Sequence, residues 1–186
     1  MNSQNIDDPK ILMKMAKEGD SGAFGRLYEM FFSPIYRYVY LRVRSRGDAE
    51  DLTQIIFLKV FQSVSDFEEK GKNPVSYFYA VARNAVIDYW RKKKEVNAGD
   101  TEEIFENIPS PKENIEKSID ENEIVATIRQ AIKSLTDEQQ EVIVLKFIND
   151  LSNKEIAELL GKNETAIRQL QCRGLKKLRE VMSNEK

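Results

Sequence analysis

The chain reads as all-α: two small helical domains joined by an acidic linker, the second a helix-turn-helix. Three observations predict this. Apolar residues recur three and four apart in nearly every segment, the period of one helix face, and no strand-like alternation is sustained. Two capping boxes, Thr136 with Gln139 and Ser152 with Glu155, open apolar-periodic runs. One stretch breaks the pattern. Residues 97–123 hold 9 acidic and 2 basic groups with Pro109 and Pro111, the composition of a linker rather than a packed element.

The elements follow in order. Residues 10–18 form a short helix, and a polar turn at 19–22 precedes a long one from about Ala23 to Arg44, which Pro34 bends or breaks. Asp48 suits the N-cap of a helix from Ala49 to about Phe67. After a polar loop at 68–72, Asn73 and Pro74 restart a helix that runs to about Lys94, with proline at the first helical position. Beyond the linker come helices from about Asn122 to Lys133 and from the Thr136 box to about Ile148. Another starts at the Ser152 box and ends at Gly161, and the last, capped by Asn163, runs from Glu164 to about Met182. The expected domains are residues 1–96 and 122–186, with 97–121 as the linker.

Composition excludes several functions. There is one cysteine, Cys172, and no histidine among 186 residues. A single thiol closes no internal disulfide, and structural zinc and His-activated nucleophiles lack their ligands and bases. No Gly-rich phosphate loop or other catalytic motif occurs, so no enzyme, cofactor or metal is expected. Every apolar run is too short to span a bilayer, and residues 1–10 lack the features of a secretory signal, which together predict a cytoplasmic protein. The net charge of −2 hides a pattern. Residues 10–96 carry 16 basic and 11 acidic groups and residues 124–186 carry 11 and 9, so two basic blocks flank the acidic strap.

In the C-terminal half, the helix carrying Ile156, Ala157, Leu159 and Leu160 meets a three-residue turn led by Gly161. The second helix buries Ile167, Leu170, Gly174, Leu178 and Val181. Gly161 suits a left-handed turn, and the small Ala157 lets the helices approach. The remaining face carries Thr165, Arg168, Gln169, Gln171 and Arg173, then Lys176 and Lys177. Arg and Gln near a helix start fit base edges in a major groove, and the later cations fit phosphates. An ordinary exposed helix rich in Arg and Gln is the competing reading. Cys172, at the edge of the buried stripe, is expected to pack.

In the N-terminal half, the helix from Ala49 has a core side (Leu52, Ile56, Phe57, Val60, Val64, Phe67) and a second, mixed side. Asp51, Gln54, Ile55, Leu58 and Gln62 form the second, which suits a protein interface or another internal helix. The next helix buries Phe78, Ala82, Ala85, Val86 and Tyr89. Opposite lie Tyr77, Arg83, Asn84, Asp88, Arg91 and Lys94, flanked by Trp90. Aromatics among cations and an amide suit single-stranded DNA, through stacking and phosphate contacts, and a solvated basic helix end is the alternative.

These same residues carry a family likeness. DAEDLTQIIFLKVF (48–61) resembles the stretch by which extracytoplasmic-function sigma factors bind the clamp helices of the polymerase largest subunit. NPVSYFYAVARNAVIDYWRKKK (73–94) resembles their promoter-melting and −10-reading stretch, and residues 135–179 resemble their −35-reading domain. The resemblance implies core-polymerase contacts from Asp51, Gln54, Ile55, Phe57 and Leu58. It implies −10 DNA contacts from Tyr77, Arg83, Asn84, Asp88, Arg91, Lys92, Lys93 and Lys94, and −35 contacts from Thr165, Arg168, Gln169, Gln171, Arg173, Lys176 and Lys177. Ile55 stands where the family usually has Glu, and Tyr77 where it has Trp. The last helix follows a variant of the usual pattern, so the −35 sequence read is unusual.

The partners so implied are core RNA polymerase (clamp helices and flap region), promoter DNA and an anti-sigma factor. The acidic strap would lie in a basic polymerase channel and discourage the free chain from binding DNA. The other function the residues allow is a stand-alone helix-turn-helix regulator that binds duplex DNA as a homodimer.

Overall fold

In the computed structural model, which describes residues 7–43, 45–67, 73–99 and 127–184, every regular element among the described residues is helical. Helix α1 (Pro9–Lys17) is capped by Asp8, which accepts from the Lys10 amide at 2.8 Å. Helix α2 (Ser21–Arg42) starts two residues before the expected Ala23 because Asp20 takes the Gly22 and Ala23 amides. Pro34 does not break it.

Helix α3 (Arg46–Ser63) also begins earlier than expected. Ser45, not Asp48, is the N-cap, accepting from the Asp48 amide at 3.2 Å. A hydroxyl does the capping, so the Asp48 carboxylate is left for another partner, the Tyr89 hydroxyl at 2.6 Å. A short 3-10 turn, Val64–Asp66, follows. Helix α4 (Pro74–Gly99) continues five residues past Lys94, into the expected linker. Residues 100–126, which hold the rest of that linker and the start of the helix expected from Asn122, lie outside the described residues.

The remaining elements are α5 (127–133), α6 (Asp137–Ile143), α7 (Asn153–Leu160) and α8 (Glu164–Asn184). Both expected capping boxes form, at Thr136/Gln139 and Ser152/Glu155. The helix expected to reach Ile148 does so only by widening into a π turn, Val144–Ile148. Asp150 then takes a positive φ of 57°, a conformation that the short polar Asp tolerates better than most residues. Gly161 adopts the left-handed conformation anticipated for the turn, with φ of 62°.

Helices α1 to α4 bury Leu12, Met13, Leu27, Ile35, Ile56 and Phe78, and the Phe31 and Phe78 rings stack at 4.4 Å. In the C-terminal unit Val142, Leu145, Ile156 and Ile167 are buried. Gly174 is where α8 meets α6: a Cβ there would stand 3.0 Å from Ile143 Cγ1.

The two units pack on each other and share one continuous cluster of buried side chains. Tyr38 of α2 and Tyr79 of α4 sit edge to face at 5.7 Å at the seam, both fully buried. Polar groups fix the register. Asn149 Nδ2 donates to the Pro34 carbonyl at 2.8 Å, and Asn73 Nδ2 donates to Glu155 at 2.8 Å. Arg129 donates to the Val43 carbonyl at the end of α2, its guanidinium 4.2 Å from the Tyr40 ring centre. A sequence divided by an acidic strap thus folds with its halves in contact.

Candidate protein and nucleic-acid interfaces

The first candidate surface is the outer side of α3. Its inner side docks Leu52, Ile56, Phe57 and Val60 into the core. Asp51, Gln54, Ile55 and Leu58 are exposed, and among the described residues no internal helix covers them. Ile55 is 45% and Leu58 55% exposed. Phe57 separates from this group. It is buried and packs edge-on against Tyr28 at 4.7 Å, so it supports the surface from beneath. Two further residues belong to the surface. Phe61 is 53% exposed and meets Phe24 edge to face at 4.9 Å, and Tyr28 is 40% exposed. Extending the Leu58 row by one turn would have found Phe61, whereas Tyr28 comes from α2 and carries no such signal. Three neighbouring apolar side chains beside Asp51 and Gln54 form the mixed patch that protein interfaces use.

The second surface is α4, and the fold sorts its expected residues into three groups. Asn84, Arg91, Lys92 and Lys94 are exposed, while Asp88 is half-buried and pairs with Arg91 at 3.0 Å. Lys93 is drawn back to α4, its Nζ 2.9 Å from the Tyr89 hydroxyl and 3.7 Å from Asp48. Burial, followed by the Asp48 hydrogen bond, pushes the Tyr89 hydroxyl above its usual pKa.

Tyr77 is half-buried against Phe67 at 5.1 Å, and its hydroxyl shares a 2.6 Å hydrogen bond with Ser63. Arg83 turns toward the C-terminal unit, with Nε 3.9 Å from Glu141 Oε2. Trp90 donates its indole N–H to the Arg42 carbonyl at 3.1 Å, which ties this part of α4 to the end of α2. The remainder is an exposed amide, a half-buried carboxylate and several exposed cations along one helix. That set can hydrogen-bond a base and neutralise phosphates.

The third surface is α8. Asn163 caps it, accepting from the Ala166 amide at 2.8 Å, and Ile167 and Gly174 turn inward as the spacing predicts. Thr165, Arg168, Gln169, Arg173, Lys176 and Lys177 are exposed. Arg168 pairs along the helix with Glu164 at 3.1 Å. Gln171 does not join them. It is half-buried, and its Nε2 donates to Asn153 Oδ1 at 2.8 Å, bracing α8 against the start of α7. Cys172, expected to pack, is exposed instead. At 100° per residue it falls between Thr165, Arg168 and Gln169 on the outer face. Further along, Arg173, Lys176 and Lys177 line a shallow cleft with Ser134, Thr136 and Gln139. A short helix thus supports a longer one whose polar and cationic face is free, as a groove-reading helix requires.

The comparisons with known proteins point the same way. Residues 27–96 match the family described as Sigma-70 region 2, and residues 126–178 the one described as Sigma-70, region 4. The ECF RNA polymerase sigma factor BldN of Streptomyces coelicolor is 33% identical over 177 residues, which is 94% of this chain and 66% of that relative. The chain therefore spans about two thirds of BldN. The ECF RNA polymerase sigma factor SigW of Bacillus subtilis is 30% identical over 180 residues, covering 93% of this chain and 96% of SigW.

Among solved structures, CnrH in complex with the cytosolic domain of CnrY has a TM-score of 0.77 and 20% identity. The match covers 97% of this chain and 99% of that one. The sigma factor RpoE, in complex with the anti-sigma factor NepR from Bartonella quintana, has a TM-score of 0.66 and 20% identity, over 88% and 98%. At that identity these two structures bear on the fold alone.

Proposed function

This chain belongs to the extracytoplasmic-function RNA polymerase sigma factors, and from that premise we propose how its surfaces divide the work of promoter recognition. As a sigma factor it binds core polymerase, directs it to promoter elements and promotes melting. Asp51, Gln54, Ile55 and Leu58, joined by Phe61, dock on polymerase, with Phe57 holding the patch from below. On α4, Asn84 and Asp88 bond a non-template base of the −10 element while Arg91, Lys92 and Lys94 hold phosphates. On α8, Thr165, Arg168 and Gln169 read the −35 element, and Arg173, Lys176 and Lys177 hold its backbone. Each grip is modest alone. Tethering on polymerase raises the effective concentration of the second once the first is made.

The observation that carries this reading is the α3 patch: Ile55, Leu58 and Phe61 are left about half exposed beside Tyr28, while Leu52, Ile56, Phe57 and Val60 of the same helix are buried. The same patch suits an anti-sigma factor, which by covering it would keep the chain from polymerase. The chain acts without catalytic chemistry or cofactor of its own. Work in the cytoplasm follows from the sigma-factor reading; among the described residues no helix is long and apolar enough to cross a membrane. Single-round transcription on purified core polymerase, with and without the chain, tests the function. Promoter-dependent product only when the chain is present is expected. Promoter binding by a dimer without polymerase would favour the regulator instead.

A further inference from the structure

Glu141 is the one buried charged residue of the C-terminal unit among those described, and none of the surfaces above uses it. It sits on α6 at the seam, where α2 and α4 supply its partners. The Tyr38 hydroxyl donates to Oε1. The Arg42 guanidinium stands 3.1 Å from Oε2 and Arg83 Nε 3.9 Å from the same oxygen. The Arg42 and Glu141 side chains are only 9% and 7% exposed, so solvent and salt screen them little. The charges do not balance: two guanidinium groups face one carboxylate. Arg83 Nε is buried with no hydrogen-bond partner.

We propose that Arg42 and Arg83 form a phosphate site for the promoter strand and that Glu141 fills it in the free chain, clasping the C-terminal unit over the N-terminal one. Guanidinium forks match phosphate oxygens as they match a carboxylate, and a phosphodiester, a monoanion like Glu141, has a second free oxygen that could take the open Arg83 Nε. The site adjoins the right surface. Arg83 precedes the exposed Asn84, and Trp90 ties the Arg91–Lys94 end of α4 to the Arg42 carbonyl. When the C-terminal unit swings away, both arginines lose their counter-charge at once and stand open to solvent and to another anion. A backbone phosphate restores it. Opening and DNA binding are therefore coupled, each favouring the other. The identity of the ligand rests on the sigma-factor reading; the clasp itself does not.

The test uses the full chain, with Glu141→Gln to remove the charge while keeping the shape and Tyr38→Phe to remove one hydroxyl. Small-angle scattering reports compactness, and anisotropy reports binding to a short mixed-sequence single-stranded DNA. If the closed form predominates, Glu141→Gln should raise the radius of gyration and tighten DNA binding about fivefold or more. Tyr38→Phe should move both the same way by less. Adding Arg42→Gln and Arg83→Gln to Glu141→Gln should cancel the gain in DNA binding. An unchanged radius with unchanged affinity overturns the clasp. A larger radius without tighter binding overturns the phosphate site. Should circular dichroism show Glu141→Gln unfolded, Tyr38→Phe decides: wild-type compactness and affinity in that variant overturn the proposal. Single-round transcription by the wild-type chain tests the sigma-factor reading separately, because it can succeed or fail whatever the clasp does.

Discussion

Replacing Ile55, Leu58 and Phe61 together by alanine should weaken core-polymerase binding about a hundredfold and leave the fold standing. Fully burying a side chain of this size contributes about 1.5–3 kcal/mol. The three are 45%, 55% and 53% exposed, so about half of that contribution is still available to a partner. That is about 1 kcal/mol each and about 3 kcal/mol together, or roughly two decades in Kd. Their neighbour Phe57 is the control. It is 4% exposed and in ring contact with Tyr28, Phe32 and Phe78, so Phe57→Ala should cost about 3–5 kcal/mol of stability through the cavity left behind. Competition against labelled wild-type chain on core polymerase measures the first effect, and thermal unfolding by circular dichroism the second. A folded triple variant that still competes like wild type would refute the docking surface. A triple variant as unstable as Phe57→Ala would show that the patch belongs to the core.

Three other outcomes are expected. Gly161→Ala, at φ of 62°, should cost about 1–2 kcal/mol in urea unfolding, because a Cβ disfavours the left-handed conformation. Burial pushes the Tyr79 hydroxyl up to about 12. Below pH ~10 the group is protonated in both folded and unfolded chains, and from there to about 12 only the unfolded chain ionises. Tyr79 alone should take up to about 3 kcal/mol from stability over that interval, so Tyr79→Phe should make the fall in urea melts at rising pH shallower and leave the part due to buried Tyr38. Lys176→Ala and Lys177→Ala should each lower the salt slope of promoter binding by about 1 without changing base preference, while Gln169→Ala should change preference at the −35 element. A salt slope untouched by either lysine would remove it from the backbone contacts.

Much of this was legible from local pattern. The two capping boxes, the left-handed Gly161 and the Asn163 cap all form where the residues call for them, because each depends on side chains within three or four positions. The exposed side of α3 and the inward stripe of α8 follow from helical period alone. Helix ends were less legible. Ser45 and Asp48 are both good caps; Ser45 takes the role, and the Asp48 carboxylate accepts from Tyr89, 41 residues away.

Period, capping and composition determined by themselves the fold class and which helix faces point outward, while the family came from the likeness of three motifs in order along the chain. Tertiary structure alone decided which members of those faces are free. Arg83 turns to Glu141, Gln171 braces Asn153 and Tyr77 bonds Ser63, while Cys172 emerges on the outer face of α8. It also brought together halves that the acidic strap suggested were independent, through a carboxylate and two arginines 99 and 58 positions away from it. No local pattern encodes such a meeting. A buried charge finds whichever opposite charge the packed helices deliver, and that depends on the whole chain folding at once.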